Sequence, residues 1–492
     1  MTRDGRAHRL ILRGGASAGL GLAMRLGARV AFVLIAAKLF GAAVFGAFSL
    51  AVAVVELAVA VGGLGMKRYL FKLLEERGSR EQGHVLIDAG LLVTAASVVL
   101  GAAIALAAML APPDLLAAQT GYALLWAAPL VAGQALLDLF LAATRWKHRM
   151  RYEVAARSLI EPYVGALGAV AAYLAGYEIA GLLIGYAAGT LAALAYAAVG
   201  MRLCFGKLHL RSFRVHPGGL AATLRATALP TATDTVAGFF HRADLYLVGV
   251  FLGETAAGIY AMARQFRTPI RQARQALDSL LTPIVARTLT ADGPVPTGAA
   301  IASATRMMLA VQLALLLTLA VGGQPVLAWF GPEFAAAYVA ALLLGAAETI
   351  QGAFSIGDLL LLYLRARLAL WVTAAMIAVH LATAVPLIGA YGIDGAALSV
   401  LIAIGCGAVL RRVLLRSRFG VATPLLHSVG PLLAGCAAAV AVLVAHRYVA
   451  ADSPLADHVA ALAAVLAIYA AALLVWQRAT GETLRLTGFR TA

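Results

Sequence analysis

The chain has 492 residues, 62% of them hydrophobic and only 13% charged, with a mean hydropathy of +0.89 and a formal net charge of +16. No soluble domain of this size has that composition. Apolar runs of about 18 residues or more recur from end to end and define an all-α polytopic membrane protein, while the alternating segments of an outer-membrane barrel are absent. The positive balance suggests a bias of loop charge across a bilayer, not a nucleic-acid partner.

In chain order, four arginines (Arg3, Arg6, Arg9, Arg13) precede the first apolar run. No small-residue cleavage site closes that run, so it reads as a retained helix and not a removed signal peptide. About 14 transmembrane helices are predicted, near 14–38, 44–66, 85–110, 121–143, 153–174, 179–203, 226–252, 258–286, 300–322, 334–363, 368–388, 394–410, 424–446 and 457–476. Of the 39 lysines and arginines, 29 fall on the side of the N-terminus, one (Arg447) falls on the other, and nine lie within spans. The positive-inside rule then makes both termini cytoplasmic, with Arg306 and the cluster Arg411, Arg412, Arg416 and Arg418 counted on that side. Cys204, Cys406 and Cys436 lie in or beside apolar runs, which suits small hydrophobes and predicts no disulfide framework, metal site or cofactor.

The sequence repeats. Phe40-Gly41-x4-Gly46-x-Phe48 follows the first span and Leu252-Gly253-x4-Gly258-x-Tyr260 follows the seventh, 212 residues later. Gly176-Tyr177-Glu178-Ile179-Ala180-Gly181 and Ala390-Tyr391-Gly392-Ile393-Asp394-Gly395 repeat at an offset of 214. Each pair falls at an outside turn. The reading is a duplicated six-helix unit: an N-lobe at 1–204, a cytoplasmic inter-lobe loop at 205–222, a C-lobe at 223–418, and two appended helices with a tail at 419–492. An even helix count makes the two lobes parallel and pseudo-symmetric, with a central cavity expected where they meet.

Charges inside the spans point to chemistry. Arg264, Arg267, Arg271 and Arg274, spaced three, four and three apart, occupy a stripe roughly 80° wide on one helix. The alternative for such a stripe is an amphipathic helix on the cytoplasmic surface, but then every later loop would invert and put the 411–418 arginines outside. As a crossing helix it carries its arginines roughly 9 to 24 Å below the outer surface, counting from Gly258. Arg25 and Arg29 share a face of the first span, and Arg242 lies in the seventh. An intramembrane charge costs at least about 2.5 kcal/mol, and these seven arginines outnumber the nearest acids, Asp234, Asp244 and Asp278. Salt bridging is expected for some, notably Arg242 with Asp234 or Asp244. The surplus suits a phosphate-bearing substrate, because the guanidinium fork binds two oxygens at once.

Among intramembrane acids, Glu161 is the leading candidate for a coupling H⁺ or Na⁺, because Pro162 frees backbone groups beside it. Arg157, one turn earlier, is its alternative partner. Asp234 and Asp244 are the other coupling-ion candidates.

Lys38-Leu39-Phe40-Gly41 through Gly46-Ala47-Phe48, Asp244-x4-Gly249-x-Phe251-x6-Gly258-x-Tyr260-x2-Ala263, and Trp329-Phe330-Gly331-Pro332-Glu333-Phe334, set in a fourteen-helix layout, resemble the polysaccharide (O-antigen type) flippases. That family belongs to the multidrug/oligosaccharidyl-lipid/polysaccharide exporter superfamily, and the resemblance spans nearly the whole chain. It implies two six-helix lobes around a cationic cavity in the bacterial cytoplasmic (inner) membrane. It also implies alternating-access export of an undecaprenyl-diphosphate-linked glycan among membrane lipids, in lipopolysaccharide or exopolysaccharide assembly, without enzymatic activity. Lipid II flippases of the same superfamily use arginines in helices one, two and eight. The second span here has none before Lys67, which tilts the reading towards an O-unit or exopolysaccharide repeat. Two alternatives remain: a multidrug cation antiporter of the same superfamily, whose cavity should be acidic, and a membrane enzyme of polysaccharide assembly, which would need a larger outside loop.

Overall fold

A computed structural model of the chain describes residues 3–76, 82–112, 117–206, 217–278, 294–421, 429–449, 453 and 455–480; the side chains of residues 3–31, 34, 68, 217–223, 294–300, 356, 366, 446 and 455 lie outside the described residues. Every element among the described residues is helical. Eight of these helices are long and apolar enough to cross a membrane, or nine if the pair Ala118–Ala127 and Leu130–Trp146, bent by 46° at Pro129, is one span. Proline at that position cannot donate the hydrogen bond that would carry the helix through.

The helices follow the predicted order. Residues 85–110 were expected and Gln82–Leu110 is observed; 179–203 were expected and Ile179–Phe205 is observed. Where two predicted spans run into one continuous stretch, single residues with non-helical backbone divide it: Gly41, Gly253, Arg365 and Gly392. Gly41 (φ 76°, ψ 173°) and Gly253 (φ 84°, ψ −177°) hold nearly the same left-handed conformation, which only glycine takes without strain. The 212-residue echo is therefore also an echo of backbone geometry.

Two compact units divide the chain, Met1–Gly258 and Ile259–Ala492. In the first, Gly185 and Gly189 let the helix at 179–205 approach the helix at 161–174 closely. A Cβ on Gly185 would lie 2.5 Å from the Gly165 carbonyl oxygen, and one on Gly189 would lie 2.3 Å from that of Glu161. Small residues are what membrane helices use to pack when no hydrophobic force drives them together. The helix entering 161–174 passes through a π-turn at Ala156–Ile160. Pro162 lacks an N–H and its ring displaces the preceding turn, so the wider turn is the local solution.

One element in this unit was absent from the sequence reading. Residues 67–84 were expected to be a loop, yet Met66–Glu76 is a helix whose Met66, Leu70 and Leu74 are buried. Their spacing of four lines one face, which packs on Leu86, Val93 and Leu139.

In the second unit, Ala310, Leu317 and Val321 pack with Ala434, Ala438 and Val442 and with Val465, Tyr469 and Leu473. The Tyr469 hydroxyl donates to the Ala310 carbonyl at 3.0 Å, fastening the last helix to the helix at 294–330. Two arginines read as loop cations are instead buried. Arg306 is 4% exposed, its guanidinium 5.6 Å from the centre of the Trp476 ring, and Arg411 is 5% exposed and paired with Asp358. Both stand near the ends of predicted spans, where charge counting cannot separate a solvated side chain from a buried one.

Candidate functional site

The first unit forms an open cavity of about 650 Å³, whose charged lining is Glu56, Lys67, Asp138, Arg145, Asp234 and Arg242. Three acids and three bases line this cavity of the first unit, so its formal charges cancel. Arg242 was expected to pair with Asp234 or Asp244. Instead its Nε and Nη2 donate to one Glu56 oxygen at 2.8 and 2.6 Å, and its Nη1 donates to the Gly238 carbonyl at 3.1 Å. Glu56 lies 186 positions away in sequence, beyond the reach of a local pairing argument. Asp244 is buried and accepts the Leu245 backbone N–H at 2.9 Å, and Asp234 lines the cavity.

Arg157 forms the hub beside this cavity. Its Nη2 donates to Asp138, and its Nη1 donates to Glu161 (2.8 Å) and to the side-chain amide oxygen of Gln134 (2.9 Å). Gln134 in turn donates to Glu161 and to the Thr190 hydroxyl, each at 2.9 Å. Glu161, the leading coupling-ion candidate, is thus held by an arginine and an amide. Lys67 approaches Asp138 at 3.6 Å. The side chains of Arg25 and Arg29 lie outside the described residues.

The arginine stripe belongs to the second unit. Its helix is interrupted at Arg267, which occupies a turn between helical residues 254–266 and 268–278. Pro269 explains the interruption, since it withholds the hydrogen bond to the carbonyl of Gln265. Arg267 and Arg274, two turns apart, both reach Glu348: Arg267 Nε lies 3.8 Å from one carboxylate oxygen and Arg274 Nη2 lies 3.9 Å from the other. Arg274 Nη1 also approaches Asp278 at 3.4 Å, and Asp278 accepts the Ser355 hydroxyl at 2.8 Å. Arg264 and Arg271 are half-buried on the same segment.

Gln312 holds this arrangement together. Wholly buried, it donates through Nε2 to the backbone carbonyls of Ile270 (3.3 Å) and Glu348 (3.2 Å), tying the stripe's helix to the helix that carries its counter-charge. Neither Gln312 nor Glu348 emerged from sequence as a partner of the stripe. The one available signal was a polar residue isolated in an otherwise apolar span.

A sequence model of the polysaccharide biosynthesis protein family matches residues 12–289. No curated protein matches the sequence. Among solved structures, the chain is similar to a multidrug resistance MATE family transporter of the MOP superfamily in an inward-facing conformation, at 14% identity and a TM-score of 0.62 over 81% of this chain and 94% of that one. It is also similar to a MATE in complex with MaL6, at 13% identity and a TM-score of 0.54 over 81% and 93% of the two chains. A mutant of the Vibrio cholerae MATE transporter VcmN follows at 17% identity and a TM-score of 0.50 over 81% and 94%. Identities this low establish a shared fold and nothing about cargo.

Proposed function

The chain belongs to the polysaccharide biosynthesis protein family, and from that premise we propose that it is a multi-pass membrane exporter of a polyprenyl-diphosphate-linked oligosaccharide. The glycan is an O-antigen or exopolysaccharide repeat unit, moved across the bacterial cytoplasmic membrane by alternating access. The observation that carries this reading is the Arg267–Arg274 pair, 5% and 17% exposed, on one segment of an apolar unit, where the two share the Glu348 carboxylate and Arg274 also meets Asp278. Guanidinium groups in such surroundings need an anion, and a diphosphate offers oxygens that the planar fork can grip two at a time. Arg264 and Arg271 extend the track, and Arg25, Arg29 and Arg242 are assigned to the same substrate. The candidates for a coupling H⁺ or Na⁺ are Glu161, Asp234 and Asp244; of these, Asp234 lines the 650 Å³ cavity.

The test is complementation of a strain lacking its O-unit or exopolysaccharide flippase, with charge-reversing Glu and charge-keeping Lys at Arg267 and Arg271. Loss of surface glycan with Glu and partial retention with Lys is the expected pattern. Indifference to both substitutions would remove the phosphate track.

A second reading, a multidrug cation antiporter, draws on the fold shared with MATE transporters. A cation pump needs an acidic cavity, whereas the cavity of the first unit matches three carboxylates with three cations. Efflux of ethidium from cells expressing the protein, with no restoration of surface glycan, would favour this second reading.

A further inference from the structure

Ion pairs among the described residues differ in how closely the partners meet. Arg242–Glu56 and Arg157–Glu161 are hydrogen-bonded, with donor–acceptor distances of 2.6 to 3.1 Å. The pairs made by Glu348 are not: at 3.8 and 3.9 Å the carboxylate sits between Arg267 and Arg274 without a hydrogen bond to either. Nε of each arginine is buried and lacks an acceptor among the described residues. The Glu348 backbone, by contrast, is pinned through its carbonyl by Gln312. Its carboxylate is therefore fixed at the root and loosely held at the tip, opposite two desolvated donors whose hydrogen bonds are unmade. A buried donor left unsatisfied is destabilising, so the site favours an acceptor that reaches further than Glu348 does. An anion with several oxygens, such as a diphosphate, meets that demand.

We propose that Glu348 is an exchangeable counter-anion, which sits between Arg267 and Arg274 in the unloaded protein, shares their neutralisation with Asp278, and is displaced by the diphosphate of the substrate. The proposal rests on the diphosphate reading above. It gives Glu348 a positioning role: it keeps a two-arginine site from collapsing or repelling itself while empty, and it competes with the cargo so that release is not blocked by overtight binding. Self-competition of this kind lowers apparent affinity by the fraction of time the carboxylate occupies the site.

The test is calorimetric titration of inorganic pyrophosphate into the purified full-length protein, comparing the parent with Glu348→Gln, Glu348→Asp and Arg267→Gln. Removing the competitor should tighten pyrophosphate binding about tenfold in Glu348→Gln, as for a site one-tenth available in the parent. Glu348→Asp, which keeps the charge but withdraws it by one methylene, should fall in between and serves if the Gln variant does not fold. Complementation should fall in Glu348→Gln despite the tighter binding, a split that a purely structural residue would not produce. Unchanged or weaker binding in both Glu348 variants, with binding lost in Arg267→Gln, overturns the counter-anion role and leaves the diphosphate site standing. Failure of pyrophosphate to bind any of the proteins overturns both.

Discussion

Gly46 and Gly258 meet backbone to backbone. A Cβ on Gly46 would fall 1.9 Å from the Glu254 carbonyl oxygen and 2.7 Å from the Gly258 nitrogen; one on Gly258 would fall 1.9 Å from the Ala42 carbonyl oxygen and 3.0 Å from the Gly46 nitrogen. The contact is reciprocal, because Ala42 and Glu254, like Gly46 and Gly258, are equivalent positions of the 212-residue repeat. The two copies of the motif thus touch at matching points, which a local two-fold axis between them would produce.

Alanine at Gly46 should therefore be severe. The obstructing atoms are main-chain, so neither helix can relieve the clash by a rotamer change, and the cost should exceed the roughly 1–3 kcal/mol of ordinary overpacking. Gly249→Ala meets only the flexible end of Leu50, at 2.7–2.8 Å, and should cost less. Gly41→Ala meets no atom within 4 Å and bears only its positive-φ, extended-ψ backbone, worth about 1–3 kcal/mol. Thermal melts of the three variants in detergent should rank Gly46→Ala well below the other two; equal melting temperatures would contradict the close crossing.

Gln312 makes a second, separable prediction. Its amide joins the carbonyls of Ile270 and Glu348, and Gly352 leaves room for it: a Cβ there would lie 2.0 Å from Gln312 Oε1. Gln312→Leu keeps the volume but leaves two buried carbonyls short of a donor, at about 1–3 kcal/mol. Gly352→Ala should act through the same side chain by pushing it off those carbonyls. The effects of the two substitutions should then be less than additive in a double-mutant cycle. Additive losses in melting stability would show that Gly352 acts elsewhere.

What sequence revealed of this site follows physical range. Gly41 and Gly253 were legible because a left-handed residue between helices demands glycine locally, and the arginine stripe was legible because helical period is local too. Glu56 and Glu348 were not, since each meets its arginine only after distant helices pack. The interruption at Arg267 was foreshadowed by Pro269, yet a helical wheel drawn through it ignores the break. The helix at 66–76 is hard to see in sequence because Lys67, Arg68 and Lys72 suggest a charged loop, although Met66, Leu70 and Leu74 recur every four residues. Arg306 and Arg411 show the same blindness to burial at span ends.

Arg411 and Asp358 supply a third prediction. Arg411 is 6% exposed at its side chain, contacts Asp358 directly, and turns Nη2 towards Met376 Sδ at 3.1 Å. Removing one partner of a buried pair strands the other, at about 3–5 kcal/mol when both are fully desolvated. The Asp358 carboxylate is one-third exposed, so Asp358→Asn should lie at or below the lower end of that range. Arg411→Met with Asp358→Asn should recover much of the loss, since two neutral side chains leave no stranded charge. A double variant less stable than either single one would rule out charge pairing as the reason these residues coexist.

The Arg157 hub yields the last prediction, because its geometry separates arginine from lysine. One guanidinium serves Asp138 through Nη2 and both Glu161 and Gln134 through Nη1, and Glu161 is further fastened by Gln134. A lysine ammonium carries the same charge as a point and cannot span acceptors on both sides of the fork. Arg157→Lys should therefore lose about 1–3 kcal/mol through the acceptors it abandons. Arg157→Gln should lose more, because Asp138 and Glu161 then face each other without a shared cation. Lys67, 3.6 Å from Asp138, is the remaining cation beside that carboxylate. Lys67→Met alone should be mild, while Lys67→Met added to Arg157→Gln should be worse than the sum of the two. Melting curves of the four proteins decide the matter: a strictly additive pair would mean that Lys67 does not take over Asp138 when Arg157 is gone.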